Sequence, residues 1–198
     1  MFNHHRGLWG YTGNAPDGEP LTIQSTGMGG PSAAIVLHEL ISLGVTRAIR
    51  VGTCGALDPG LGLGDLVIAR EAIVADGTSA ALGAGPLAQA DPTLADALVR
   101  EAAGRRERAH REGRIVSTDL FYERDSKRNA NWSAEGALAV EMEAATLFAV
   151  GAHADIQVGA ILAVSDTFGG PNARARIDDD ALTQAAEAMG SAAVAALG

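Results

Sequence analysis

The chain has 198 residues, which is enough for one domain with a sizeable hydrophobic core. Hydrophobic residues make up 47% of the sequence and charged residues 20%, and this balance excludes an intrinsically disordered or fibrous protein. The formal net charge of -9 argues against a general nucleic-acid binder and against a membrane-surface binder, because both need a basic face.

Hydrophobic periodicity predicts an α/β domain with a mixed or mostly parallel sheet, because short β-branched runs alternate with longer helical patterns. In chain order, strands are predicted at residues 20–25, 46–52, 65–70, 115–116, 137–140 and 158–164. Helices are predicted at residues 31–43, 92–103, 141–154 and 178–197. Residues 76–91 are rich in glycine, alanine and aspartate, and we expect a surface loop there. Because no repeat or linker interrupts this order, we expect a single domain over residues 1–198.

Composition also bears on the cellular compartment and on cofactors. No stretch approaches about 18 uninterrupted apolar residues, and no apolar signal region follows Met1, so we expect a cytoplasmic protein with no membrane partner. The single cysteine, Cys54, cannot form an internal disulfide, which is typical of a reducing compartment. The histidines are scattered along the chain, so we expect no metal site.

Three common ligand-binding motifs are incomplete in this sequence. The dinucleotide-binding pattern GxGxxG fails at both glycine clusters, because Ser32 and Asp65 occupy the position of the last glycine. No lysine follows a glycine, which excludes a Walker A loop. His38 and Glu39 begin a zinc-protease motif, but Ser42 occupies the position of the second histidine.

Arg50 lies at the end of a predicted strand and is followed by a turn of small residues. Its guanidinium, with the hydroxyl and amide of Thr53, could bind several oxygens of a phosphate at once. The carboxyl end of a strand is also where open α/β folds bind ligands. The alternative interpretation is an arginine that pairs with a surface carboxylate.

Glu141 and Glu143 stand at a predicted strand-to-helix boundary in an otherwise apolar segment. Burying two carboxylates is costly unless a ligand or a partner group uses them. A carboxylate at this place could bind the vicinal hydroxyls of a sugar. Capping of the following helix is the alternative.

Asp166 and an aromatic pair are the remaining candidates for chemistry. Asp166 follows directly on the apolar strand at 158–164, and it could act as a general acid if burial favours its protonated form. An ordinary strand-end turn is the alternative for Asp166. Phe121 and Tyr122 could stack on a planar base, whereas packing in the core is the alternative for Phe121.

Five segments carry a resemblance to a known family: STGMGGPSAAIVLHEL, RVGTCGA, STDLFY, VEMEAATLFAVGA and VSD. In this order and spacing they resemble the bacterial purine nucleoside phosphorylase and uridine phosphorylase family, from about Arg6 to the end of the chain. The resemblance implies a three-layer α/β/α sandwich with a mixed central sheet. It also implies a homo-oligomer, a hexamer built from three dimers. The implied reaction is phosphorolysis of a nucleoside to a free base and ribose 1-phosphate, with inorganic phosphate as co-substrate and no other cofactor.

Position by position, the resemblance implies three groups of binding residues and one acid. The phosphate ligands would be Arg50, Thr53 and Arg6, the last lent by a neighbouring subunit. The ribose-binding residues would be Met28, Met142 and Glu143, with Glu143 holding the 2′ and 3′ hydroxyls. The base-pocket positions are Cys54, Gly55, Phe121, Val140 and Glu141. Asp166 matches the acid that protonates the purine as the glycosidic bond breaks.

The identity of the base rests on a few positions within the resemblance. Asp166 favours purines, because uridine phosphorylases generally lack this acid and read uracil with a glutamine and an arginine shortly after the Phe-Tyr pair. Here residues 123–126 contain no glutamine. The segments EMEAATLF and TGMGGPS are closer to the uridine branch, so uridine phosphorylase is the alternative function. Arg50 argues against the related nucleosidases, which use water.

Two departures from the family pattern bear on activity. The family's first strand and its arginine-bearing phosphate loop would precede Arg6, and we expect either a late start or a natural short form with an impaired phosphate site. The arginine that assists the acid is not at its usual spacing, so Arg174 and Arg176 are both candidates. The second alternative function is therefore a catalytically impaired member of the family that acts as a binding or assembly subunit.

Overall fold

The computed structural model describes residues 1–104, 109–122, 125–169 and 173–198. It confirms the predicted α/β class, with a mixed central sheet flanked by helices. The strands are β1 (Gly10–Asn14), β2 (Pro20–Gln24), β3 (Arg47–Ala56), β4 (Leu66–Ala75), β5 (Leu87–Gln89), β6 (His110–Thr118), β7 (Ala139–Glu141), β8 (Gln157–Gly169) and β9 (Ala173–Arg176). The helices are α1 (Gly30–Ser42), α2 (Gly77–Ala81), α3 (Pro92–Ala103), α4 (Ser126–Ala134), α5 (Ala144–Ala154) and α6 (Asp179–Leu197).

In the described part of the chain, the central sheet has seven strands in the order β5-β4-β6-β7-β3-β8-β9. Strands β4, β6 and β7 run parallel to one another, β3 runs parallel to β8, and the two groups meet in the antiparallel pair β3 and β7. The start of β4 also pairs with β8, where Leu66 lies opposite Ala163. Five strands therefore form a closed ring, so the sheet curls more than a flat sandwich layer would.

Two larger hydrophobic clusters and a smaller one pack the described helices against this sheet. The first joins α1 and α5 to β3, β4 and β8, the second joins α3 and α6 to β4 and β8, and the smaller one contains Trp132 of α4 and Val116 of β6. The two larger clusters consist largely of alanine, valine, leucine and isoleucine. A Cβ atom added at Gly151 would collide with Val158, so helix α5 approaches strand β8 closely.

The predicted helices at 92–103 and 178–197 are confirmed, and each begins after an aspartate cap. The carboxylate of Asp91 accepts a hydrogen bond of 2.9 Å from the backbone N–H of Leu94, and Pro92 follows in the first turn of α3. Asp178 accepts one of 2.8 Å from the N–H of Ala181 at the start of α6. In each case a single acceptor satisfies an amide that the helix leaves unpaired.

The predicted loop at 76–91 is wrong, because these residues contain helix α2, capped by Asp76, and the short strand β5. Strand β3 continues to Ala56, beyond the predicted strand at 46–52, and β8 extends beyond the predicted strand at 158–164 to pair with β9. Strand β1 and helix α4 were not predicted. These segments are rich in glycine or polar residues, and pairing with distant strands outweighs their weak local preference.

The hairpin of β1 and β2 stands apart from the central sheet. Its exposed side chains include Trp9, Tyr11 and Ile23. Within the described ranges, no helix combines the length and the hydropathy that a membrane span requires.

Candidate active site

A cavity of about 350 Å³ opens where the carboxyl ends of β3 and β8 meet β7 and the glycine-rich turn after β2. Its walls include every residue that the family resemblance placed in the site except Arg6: Met28, Arg50, Thr53, Cys54, Gly55, Phe121, Val140, Glu141, Met142, Glu143 and Asp166. Tyr122, which was also predicted to stack on a base, does not line the cavity. Gly27, Gly52, Thr118, Leu120, Ser165, Phe168 and Arg174 complete the lining. The fold thus gathers segments that are far apart in sequence around one space.

Arg50 holds two carboxylates at one end of the cavity. Its Nε donates to Glu141 Oε2 at 2.8 Å, and its Nη2 donates to Glu143 Oε2 at 2.5 Å. The side chain of Arg50 is only 11% exposed, so both ion pairs are shielded from water. A Cβ atom at Gly52 would lie 2.7 Å from Arg50 Nη1, so the guanidinium packs directly on the backbone of β3.

The carboxylate of Glu141 is fully engaged by the protein. It accepts hydrogen bonds from the Ser117 hydroxyl, from the N–H of Glu143 at 2.9 Å and from the N–H of Ala144 at 3.0 Å. These amides belong to the start of α5, so Glu141 caps this helix while it anchors Arg50. The Glu141 carboxylate therefore caps the following helix, as the alternative interpretation proposed, and the residue also lines the cavity.

Glu143 joins the glycine-rich turn to the arginine. Its Oε1 accepts a hydrogen bond of 2.5 Å from the N–H of Gly29, and its other oxygen receives Arg50. Gly29 has φ of 86°, a value that only glycine adopts without strain. Burial raises the pKa of Glu143, whereas the charge of Arg50 and the Gly29 amide oppose this shift. A buried carboxylate beside the exposed side chain of Met28 is a suitable acceptor for hydroxyl groups.

Asp166, which also lines the cavity, is held by two donors. Arg174 Nε donates to Oδ1 at 2.9 Å, and the Ser165 hydroxyl donates to Oδ2 at 2.8 Å. Ser165 is the extra residue of a bulge in β8 opposite β3, and bulges re-aim side chains next to active sites. Of the two arginine candidates, the structure brings Arg174 to the acid, whereas Arg176 does not line the cavity.

Two phenyl rings and Arg174 form a third wall, which we call the aromatic slot: Phe121, Phe168 and Arg174. The Arg174 guanidinium carbon lies 4.8 Å from the centre of the Phe121 ring and 6.0 Å from that of Phe168. A Cβ atom at Gly55 would lie 2.8 Å from the Phe168 ring, so only glycine lets this ring pack on β3. Phe121 is exposed to the cavity and does not pack in the core. Sequence reasoning missed Phe168, although it stands two residues after Asp166.

Cys54 and Arg6 occupy contrasting positions. The Cys54 thiol is buried and donates toward the Ala163 carbonyl at 3.6 Å, and burial raises its pKa, so the thiol is poorly nucleophilic. Arg6 is exposed in a short turn before β1, with a positive φ of 55°, and it does not line the cavity of its own chain.

In the described part of the chain, no three histidine, cysteine, aspartate or glutamate side chains are grouped as metal ligands.

Comparisons with known proteins show the family of the chain. A guanosine phosphorylase from Halorubrum lacusprofundi is 39% identical over 172 residues, which cover 86% of this chain and 71% of the relative. Purine nucleoside phosphorylases of the DeoD type from Clostridium novyi and Caldanaerobacter subterraneus are 37% and 38% identical, and each alignment covers 84% of this chain and 72% of the relative. The sequence profile of the Phosphorylase superfamily matches residues 1–198. The chain therefore belongs to the phosphorylase superfamily.

Proposed function

We propose that the protein is an enzyme that cleaves purine nucleosides with inorganic phosphate, giving a free base and ribose 1-phosphate. The observation that carries this proposal is that two sets of groups line one cavity. One set is the arginine Arg50 with the buried carboxylate of Glu143, and the other is the buried Asp166 with Arg174 and the aromatic slot. The relatives named for phosphorolysis of purine nucleosides and of guanosine support the same reaction.

In this proposal Arg50 and Thr53 bind phosphate. Arg50 Nη1 takes part in neither ion pair to the glutamates, so it can donate to a phosphate oxygen. The hydroxyl and amide of Thr53 supply further donors. The phosphate oxygen then attacks C1′ of the ribose, and the electron pair of the glycosidic bond leaves with the base. The positive charge that develops on the sugar lies near the carboxylate of Glu143, which stabilises it.

Glu143, Met28 and Met142 hold the ribose between the phosphate and the base. The Glu143 carboxylate accepts hydrogen bonds from the 2′ and 3′ hydroxyls with the lone pairs that the Gly29 N–H and Arg50 leave unused. Met28 is 87% exposed, so a sugar can bury this flexible apolar side chain. Sugar contacts of this kind fix C1′ between the two reacting groups.

At the other end, Asp166 acts as the general acid. Its proton moves to N7 of the purine as the bond from C1′ to N9 breaks, so the base leaves as a neutral molecule. The donors from Arg174 and Ser165 stabilise the carboxylate that remains after this transfer. The Ser165 hydroxyl also lies 3.3 Å from the Cys54 carbonyl, so it can turn to that acceptor when Asp166 carries its proton.

We also propose that the protein acts in the cytoplasm as a homo-oligomer, a hexamer of three dimers. A two-stranded hairpin is only marginally stable by itself, and that of β1 and β2 exposes Trp9, Tyr11 and Ile23. A second copy of the chain that covers this hairpin would bury these side chains. The same contact would carry Arg6 from one subunit toward the phosphate of the other.

The test is an assay of inosine and uridine, each with and without phosphate. We expect inosine to be cleaved only when phosphate is present and uridine to be cleaved much more slowly. If base were released at the same rate with and without phosphate, the enzyme would be a hydrolase and not a phosphorylase. No turnover of any nucleoside would favour a binding or assembly role.

A further inference from the structure

We propose that a buried polar cluster outside the cavity, formed by Asp76, Ser79 and Thr146, positions the carboxylate of Glu143 for the hydroxyl groups of the ribose. The three are positioning residues, because none of them lines the cavity. The inference rests on the proposed function and extends it to the residues that hold the sugar-binding carboxylate in place.

The cluster is a chain of hydrogen bonds shielded from water. Asp76 follows strand β4 and is buried, and Ser79 and Thr146 are fully buried. Asp76 Oδ1 accepts hydrogen bonds from the N–H of Ser79 at 2.7 Å and from the hydroxyl of Thr146 at 3.1 Å. The hydroxyls of Ser79 and Thr146 lie 2.9 Å apart. Because the Thr146 hydroxyl gives its one proton to Asp76, the Ser79 hydroxyl donates to Thr146, so every donor has a defined direction.

The cluster meets the start of two helices that carry the sugar site. Thr146 lies in the first turn of α5, three residues after Glu143. Gly30 begins α1 and directly follows Gly29, whose N–H donates to Glu143 at 2.5 Å. A Cβ atom at Gly30 would lie 2.5 Å from Thr146 Oγ1 and 2.9 Å from Thr78 Cβ, so the backbone of α1 rests directly on the cluster. The cluster therefore fixes the separation between the Gly29 amide and the Glu143 carboxylate.

Capping and packing alone do not require this arrangement. Asp91 and Asp178 cap α3 and α6 from more exposed positions, so a capping carboxylate need not be buried. Asp76 Oδ2 is buried and has no hydrogen-bond partner among the described residues, and such a group is costly. A valine at position 146 would match the shape of threonine in the buried first turns of α5 without needing a partner. We infer that the cost is retained because the hydrogen bonds fix the position of Glu143.

The experiment compares kcat/KM for inosine and for 2′,3′-dideoxyinosine, which lacks both hydroxyls that Glu143 would bind. Two hydrogen bonds to a carboxylate should give the native enzyme a preference for inosine of about a hundredfold or more. Thr146→Val removes the hydroxyl and should reduce this preference by about tenfold, because a small displacement of Glu143 weakens both hydrogen bonds. Comparing variants cancels the intrinsic difference in reactivity between the two nucleosides.

Thr146→Ser and Thr183→Val are the matched controls. Thr146→Ser keeps the hydroxyl and should restore most of the native preference. Thr183→Val makes the same change on the exposed face of α6, where the hydroxyl only bonds to the carbonyl of Asp179, and it should keep the native ratio. Ser79→Ala removes the donor to Thr146 and should lower the ratio in the same direction, which gives a second test if Thr146→Val fails to fold.

The KM for phosphate separates positioning of Glu143 from general damage to the site. Arg50 keeps its ion pair with Glu141 in Thr146→Val, so the KM for phosphate should change less than the KM for inosine. Equal losses of kcat/KM on both nucleosides, with the native ratio retained in Thr146→Val and Ser79→Ala, would overturn the positioning role and leave purine phosphorolysis intact. Failure of the native enzyme to cleave inosine would overturn the proposed function itself.

Discussion

At the scale of single residues, the site is organised by one arginine shared between two glutamates. Removing one partner from a buried ion pair leaves an uncompensated charge, which is costly. Arg50 therefore has two roles: it neutralises Glu141 and Glu143 in the folded chain, and it supplies donors to phosphate. The structure shows the first role directly, and the second belongs to the proposed function.

We predict that Arg50→Ala weakens phosphate use far more than nucleoside binding. Charge-assisted hydrogen bonds contribute about 1.5 to 3 kcal/mol each, so the KM for phosphate should rise about tenfold or more. Arg70→Ala is the matched control, because Arg70 forms partly exposed ion pairs with Asp96 and Glu112 outside the cavity. An unchanged KM for phosphate in Arg50→Ala would show that Arg50 does not bind phosphate.

A substitution of Asp166 distinguishes a purine nucleoside phosphorylase from a uridine phosphorylase. General acid catalysis contributes about 10² to 10⁴ in rate. Asp166→Asn keeps an oxygen that can accept from Arg174 but removes the acidic proton, so kcat on inosine should fall by a factor in that range. Any activity on uridine should remain nearly unchanged, because uracil can leave as a hydrogen-bonded anion. Equal losses on both substrates would show that Asp166 has a structural role.

At the scale of elements, local signals predicted helices α1, α3, α5 and α6 but missed the shorter α2 and α4, and they did not specify which strands pair. The starts of α3 and α6 were predictable, because an aspartate cap and a first-turn pattern lie within a few adjacent residues. The hairpin of β8 and β9 was not predictable, because its existence depends on pairing across the sheet. For the same reason the distance from Asp166 to Arg174 in sequence did not identify which arginine meets the acid. The resemblance to a family located most of the cavity lining, whereas Phe168 required the structure.

The cap of α6 provides an element-scale prediction. Asp178→Ala removes the acceptor for the N–H of Ala181, and loss of such a cap lowers the free energy of unfolding by about 1 kcal/mol. Asp180→Ala removes an acidic residue from the first turn of the same helix, outside the capping position. Urea denaturation should show a clearly larger loss for Asp178→Ala. If Asp178→Ala and Asp180→Ala had the same free energy of unfolding, the capping hydrogen bond would add no stability beyond that of a negative charge at the start of the helix.

At the scale of the whole molecule, the proposed function includes a contact between two copies of the chain. Arg6 lies outside its own cavity, and the hairpin of β1 and β2 exposes large apolar side chains. Light scattering at micromolar concentration should therefore find an oligomer. Trp9→Glu, which places a charge in the proposed contact, should favour the monomer and raise the KM for phosphate. A native protein that is monomeric and fully active would contradict this prediction.

The central claim is that phosphate, and not water, breaks the bond between the purine and the ribose. Phosphorus NMR of a reaction with inosine tests it most directly, because ribose 1-phosphate and inorganic phosphate give separate signals. The account predicts that one phosphate is consumed and one ribose 1-phosphate appears for each hypoxanthine released. Release of hypoxanthine with free ribose and an unchanged phosphate signal would contradict it.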